Sequence, residues 1–226
     1  MGKLIVIEGV DASGKQTQTE LLYKYISSVT DKVIKIEFPD YESPSSEVIK
    51  MYLNGAFGKD ADAVNPYAAS SFFAIDRFTS YKTKWEALYN DGYIIIADRY
   101  VTANMIYQAS KFDNEEEKNC YLSWINDFEY EKLGLPRPDI SLFLDVIPEI
   151  SYKIIQTRNN KFTGEKELDI HEANKEYLVK TYNNAKYIAE KYSFTTIDCV
   201  RDNGLKSIEE IHDMIKMSIK ELLYES

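Results

Sequence analysis

The stretch that decides the fold is residues 3–15, KLIVIEGVDASGK. Residues 3–9 form a nearly unbroken β-branched apolar run, the composition of a strand covered on both faces. Gly9 and Gly14 then bracket Val10, Asp11, Ala12 and Ser13, and Lys15 comes directly after. Beyond the lysine, Gln18, Leu21, Leu22, Tyr25 and Ile26 recur at helical spacing. Strand, glycine-bracketed turn, lysine and helix in this order make a phosphate-binding loop (P-loop). The glycines let the backbone curl until successive N–H groups converge on phosphate oxygens. The helix N-terminus adds partial positive charge, and Lys15 reaches the β/γ bridge of a nucleoside triphosphate. Residues 9–17 are therefore the expected nucleotide contacts. One position departs, because Gln16 stands where the motif places a hydroxyl on Mg2+, and Thr17 points about 100 degrees further round the helix. Gln16 is left to meet the metal through its amide oxygen or a water.

Outward from this loop, residues 32–38, 93–98, 139–146 and 194–199 are four more short β-branched runs, separated by long helical patterns. Tyr67, Ser71, Ala74, Phe78, Tyr81, Trp85 and Leu88 make one such stripe. Leu178, Tyr182, Ala185, Ala189 and Tyr192 make another, and Ile208, Ile211, Ile215, Ile219 and Leu222 a third, preceded by a possible capping box of Ser207 and Glu210. The expectation is an α/β P-loop NTPase fold with a five-stranded parallel sheet flanked by helices on both faces, in one domain over residues 1–226. Residues 159–169 interrupt the pattern with a polar, Gly164-containing segment between two helices, either a solvated loop or a short lid.

The 226 residues carry 37 acidic against 27 basic side chains, a formal charge of -10, which repels a polyanionic duplex and argues against nucleic acid as a partner. Neither a membrane span nor a leader is signalled, and Cys120 and Cys199 lack metal-ligand or disulfide spacing, so a reducing cytoplasm is expected.

The loop GVDASGKQTQ, with an Asp between its glycines, resembles that of the thymidylate kinases, and more landmarks of that family occur in order along the chain. Phe38-Pro39 ends the second strand, SFFAIDR (residues 71–77) lies in the long helix, Asp98-Arg99-Tyr100 ends the third strand, and RPDISLFLDV precedes the lid segment. The resemblance spans nearly the whole chain. It implies an ATP-dependent, Mg2+-requiring phosphorylation of thymidine monophosphate, and a homodimer. Asp11 resembles the carboxylate that receives the sugar 3'-hydroxyl, although an Asx turn would also suit it. Phe73 and Arg77, at i and i+4, lie on one helix face away from Ala74 and Phe78. The resemblance makes Phe73 the stacking plane for a pyrimidine and Arg77 the donor fork for its carbonyl edge; a surface ion pair is the other reading of Arg77. Asp98 becomes a magnesium-orienting carboxylate and Arg99 a clamp between donor and acceptor phosphates, where a buried Asp–Arg pair is the alternative. Phe38, Pro39, Asn104, Tyr107 and Gln108 complete the implied substrate contacts, Tyr107 crowding a ribose 2'-hydroxyl.

Three departures accompany the likeness: Asp40-Tyr41 come after Phe-Pro where the family often has an Arg, Ala103 and Asn104 stand where a Ser is frequent, and Ala12 stands where some members have a loop Arg. Members without a loop Arg use basic lid residues, which points to Arg158, Lys161 and Lys166 as candidate catalytic cations. Asp169 and Glu172 resemble the lid's D-x-x-E pattern, with Ile170 where an Arg is frequent, and His171 reads as a surface or capping residue. Two other functions fit the same residues: a deoxynucleoside kinase, with Glu37 or Asp40 as the base for a 5'-hydroxyl, and a non-catalytic nucleotide-binding regulator. Because a phosphate acceptor is already an anion, cations outrank bases in the expected mechanism. Lys15→Ala is expected to lower turnover on the order of 10³-fold, measured by ADP release from a variant with native circular dichroism. A folded variant with near-normal rate would refute the loop assignment.

Overall fold

The computed structural model describes residues 1–60, 62–157, 175–202 and 204–224. The expected lid, residues 159–169, lies outside them, as do Arg158, Lys161, Lys166, Asp169, His171 and Glu172. In chain order come β1 (Lys3–Gly9), α1 (Lys15–Ser27), β2 (Val33–Glu37), α2 (Glu47–Leu53), α3 (Pro66–Ser80), α4 (Glu86–Asn90), β3 (Ile94–Asp98) and α5 (Val101–Tyr107). After them come α6 (Glu115–Asn126), β4 (Ile140–Asp145), α7 (Pro148–Thr157), α8 (Lys175–Lys191), β5 (Thr195–Asp198), the ribbon β6 (Val200–Arg201) and β7 (Gly204–Leu205), α9 (Ile208–Ser218) and α10 (Lys220–Tyr224).

Strands β1 to β5 form one parallel sheet in the order β2-β3-β1-β4-β5, each on one of the five β-branched runs. Alternation along β1 explains the two covered faces. Leu4 and Val6 join Ile95, Ala97, Phe143, Trp85, Tyr100, Ile106, Tyr121 and Ile188 on one side. Ile5 and Ile7 join Ile96, Leu142 and Leu144 on the other, under Leu22 and Ile26 of α1 and Ile211 and Ile215 of α9. Period-two alternation with both faces apolar is what a central parallel strand requires.

The long stripe from Tyr67 to Leu88 is helical but not uniform. A π-helical turn, Tyr81–Trp85, joins α3 to α4; Tyr81 and Trp85 are buried as the stripe requires, but beyond the turn Tyr89 is buried in place of Leu88, and at the other end Tyr67 is 38% exposed. On α3 the buried residues are Ala69, Ser70, Ala74, Asp76, Arg77 and Ser80. This corrects the placement of Arg77 away from the buried stripe: a countercharge from another element allows the guanidinium inside.

The capping box is present, with Ser207 Oγ accepting the Glu210 amide at 3.1 Å and Glu210 Oε2 accepting the Ser207 amide at 3.0 Å. Ser207→Ala is expected to lower stability by about 1 kcal/mol, read as a shift of the urea midpoint with an unchanged slope.

Candidate active site

Parallel pairing sets Ile7 of β1 opposite Asp98 of β3, so the loop that leaves β1 and the Asp98-Arg99-Tyr100 turn emerge side by side at the carboxyl edge of the sheet. In the loop, Gly14 has φ 86° and Ala12 φ 59°. A Cβ on Gly9 would lie 2.5 Å from Ser13 Oγ and 3.0 Å from the Leu144 carbonyl, so crowding alone demands glycine there. Lys15 is buried, and its Nζ donates to the carbonyls of Gly9 (2.9 Å) and Val10 (2.8 Å) and to Ser13 Oγ (3.4 Å). Gln16 and Thr17 are both exposed in the first turn of α1.

Arg99 takes the left-handed backbone conformation, φ 65°, and its N–H donates to the Ile7 carbonyl at 3.1 Å. The turn sends the guanidinium back over the loop. Arg99 Nη2 donates to Asp11 Oδ1 at 2.5 Å and to the Tyr107 hydroxyl at 3.2 Å, and that hydroxyl donates to the Gly9 carbonyl at 3.4 Å. Asp11, Arg99 and Tyr107, singled out from three separate motifs, thus form one contiguous cluster with the phosphate loop. Asp98 is buried, and its Oδ1 has no hydrogen-bond partner among the described residues.

Three residues that the motifs did not single out support this cluster. Glu8 is fully buried, and its Oε1 accepts the Tyr100 amide at 3.1 Å and the Thr102 hydroxyl at 2.5 Å. Burial raises its carboxyl above the ordinary carboxylate range, against the opposing pull of the Thr102 hydrogen bond and the charges of Arg99 and Lys15. A lone acid in an otherwise apolar strand is the sequence signal that could have found it. From α8, the Tyr177 hydroxyl donates to the Tyr107 carbonyl at 3.1 Å, and Asn184 Nδ2 donates to the carbonyls of Met105 and Ile106, tying the C-terminal end of α5 to α8.

A second cluster lies along the same α5. Arg77 is buried in a bidentate pair with Glu129, Nε and Nη2 each 2.6 Å from a carboxylate oxygen. Burial opposes the charge on Arg77, and Glu129 more than offsets it, so the guanidinium's pKa lies above its ordinary value. Asn104 Nδ2 donates to Glu129 Oε1 at 3.1 Å and to the Ser70 carbonyl at 3.3 Å. Gln108, one turn on, is buried, and its Oε1 has no partner among the described residues. Glu129 carries no motif, and nothing in its sequence context marked it. Phe73 is half-buried, edge-on to Tyr52 with centroids 6.3 Å apart. Behind Tyr52, Lys111 donates to its hydroxyl at 3.2 Å, and burial lowers the Lys111 ammonium to about 8.

Phe38 and Pro39, joined by a cis peptide, hold the turn after β2, with Phe38 packed on Tyr100. Asp76 fastens the next segment, accepting the Asp40 amide at 2.8 Å and the Ser45 hydroxyl at 2.5 Å. Asp40, in the stretch where the family often places a cation, is paired with Lys84. Among the described residues no group of three or more His, Cys, Asp or Glu is gathered to hold a metal. A single carboxylate with phosphate oxygens and waters is nevertheless a usual magnesium environment, and the buried, unpartnered Asp98 Oδ1 fits it.

Glu129→Leu leaves the Arg77 charge buried without its partner, and the expected loss of stability is about 3–5 kcal/mol in urea unfolding. Adding Arg77→Met should recover most of it. A double variant as unstable as the single one would show that the pair is not what holds this region.

The chain matches the family model described as thymidylate kinase over residues 7–215. It is 30% identical over 214 residues to the thymidylate kinase of Schizosaccharomyces pombe, covering 95% of this chain and 90% of that one. Identity to the thymidylate kinase of Mycobacterium tuberculosis is 34% over 149 residues, 66% of this chain and 68% of that one. Among solved structures, the thymidylate kinase of Candida albicans superposes with a TM-score of 0.72 at 27% identity, covering 98% of this chain and 92% of that one. With the P-loop in place and the family model matching nearly the whole length, the chain belongs to the thymidylate kinase family.

Proposed function

We propose that this protein transfers the γ-phosphate of ATP to thymidine monophosphate, giving thymidine diphosphate and ADP. The observation that carries this reading is the Asp11–Arg99–Tyr107 cluster beside the P-loop, which puts a cation and a carboxylate next to the loop that would bind the donor phosphates. Lys15 and the loop amides bind the ATP phosphates. Arg99 bridges the two phosphoryl groups as charge spreads over the transferring oxygens, needing only small motion because its backbone is already fixed. Asp11 shares its carboxylate between Arg99 and the sugar 3'-hydroxyl. Tyr107 lies against the loop carbonyl and narrows the space at the sugar's 2' position.

The acceptor base stacks on Phe73, with Arg77, Asn104 and Gln108 supplying its polar contacts and Phe38 and Pro39 closing one side. Arg77 serves while keeping Glu129, since Nε and Nη2 are engaged there and Nη1 takes no hydrogen bond among the described residues. Asp98, with Gln16 through an amide oxygen or water, would hold Mg2+, which supplies charge neutralisation at the β/γ oxygens. One of Arg158, Lys161 and Lys166, in the proposed lid of a single-domain chain, provides the remaining cation that Ala12 does not.

Homodimer formation is part of the reading, supported by Val48 and Met51 of α2 and Ile75 of α3, which are 41%, 48% and 50% exposed. The two unpaired cysteines suit a cytoplasmic setting. Among the described residues no helix is long and apolar enough to cross a membrane.

Thymidine and thymidine monophosphate, supplied separately with ATP and magnesium, decide the acceptor. Rapid ADP release is expected with the monophosphate alone. Release with the nucleoside instead would make the protein a nucleoside kinase, and ATP binding with no release across a panel of nucleoside monophosphates would make it a regulator.

A further inference from the structure

Arg99, the proposed clamp, has a left-handed backbone, a conformation that costs a residue with a Cβ about 1–2 kcal/mol. Something must hold it. The Arg99 amide is tied to the Ile7 carbonyl, and the next amide, that of Tyr100, is tied to the side chain of the next residue of β1, Glu8. The same oxygen, Oε1, also accepts the Thr102 hydroxyl, so one atom fastens two residues just beyond the turn. Glu8 Oε2 has no partner among the described residues, and the side chain is wholly buried in the central strand. A carboxyl in that position is expensive, and an apolar residue would satisfy the packing of β1 better. Its polar function is therefore exerted through Oε1.

We propose that Glu8 is a positioning residue for phosphoryl transfer, its buried Oε1 fixing the Tyr100 amide and the Thr102 hydroxyl so that the left-handed turn aims Arg99 at the phosphate loop. The inference deepens the proposed function, since it rests on Arg99 as the clamp. Glu8 touches neither substrate; it acts through its neighbours at the end of β3 and the start of α5. A displacement of a catalytic group by about 1 Å is worth on the order of 10²-fold in rate, which sets the size of the expected effect.

Three variants test it in the full-length protein: Glu8→Leu, Glu8→Gln and Thr102→Val. Glu8→Leu should lower kcat on the order of 10²-fold while ATP affinity, measured by calorimetry, stays near wild type, because Lys15 and the loop amides are untouched. Glu8→Gln keeps an acceptor at Oε1 and should rescue most of that loss. Amide hydrogen exchange gives a readout independent of turnover: the Tyr100 amide should be protected in wild type and Glu8→Gln and exchange freely in Glu8→Leu. If Glu8→Leu fails to fold, Thr102→Val removes one of the two donors and should lower kcat several-fold, with Thr102→Ser restoring it.

Wild-type turnover in Glu8→Leu, a Tyr100 amide still protected there, or Glu8→Gln as slow as Glu8→Leu would each overturn the assignment. A wild-type protein inert toward thymidine monophosphate would sink the proposed function instead, while the exchange comparison would still decide the role of Glu8.

Discussion

Parallel pairing of β1 with β3, with Ile7 opposite Asp98, is the constraint on which the rest of the site depends. It delivers the phosphate loop and the Arg99 turn to the same edge within hydrogen-bonding reach. A slip of one residue would exchange the two faces of β1, turning Leu4 and Val6 toward the layer built for Ile5 and Ile7. Two covered faces therefore do more than stabilise the sheet; they lock the register that makes Asp11 and Arg99 neighbours. The site and the core are joined directly, because Glu8 of β1 accepts the amide of Tyr100, whose ring lies in the packed layer.

The electrostatic design is local. In a chain of formal charge -10, two guanidiniums at the sheet's carboxyl end are each matched to a specific carboxylate, Arg99 to Asp11 and Arg77 to Glu129. Pairing keeps two guanidiniums charged where burial alone would oppose it. It also orients them, since a bidentate fork on Glu129 leaves Arg77 little rotational freedom. Helix α5 links the two clusters, Tyr107 facing the loop and Asn104 facing Glu129.

Much of this was legible in the sequence because it depends on local patterns. Each of the five strands lies on a short β-branched run, and the loop is marked by two glycines, a lysine and their flanking elements. Asp11, Arg99 and Tyr107 could be named singly from motifs, but their union is a product of topology that spacing does not encode. Arg77 shows the limit most clearly. Helical spacing put it with Phe73 on a face away from Ala74 and Phe78, and spacing gives no sign of Glu129, 52 residues away, as its partner. The π-helical turn at Tyr81–Trp85 also escaped, since it alters phase without altering composition. Glu8 was visible as an anomaly in an apolar strand, yet its partners at Tyr100 and Thr102 belong to another segment.

Under the clamp role proposed for Arg99, its positive φ sets durability against turnover at a single codon. Glycine there would relax the backbone and leave the Ile7 and Glu8 tethers in place, and it would delete the guanidinium at the same stroke. Selection for heat resistance alone would drift toward that silent form, whereas selection for flux keeps the strained residue. Stabilising this protein without cost to its chemistry means working elsewhere, at the caps and helix surfaces remote from the loop.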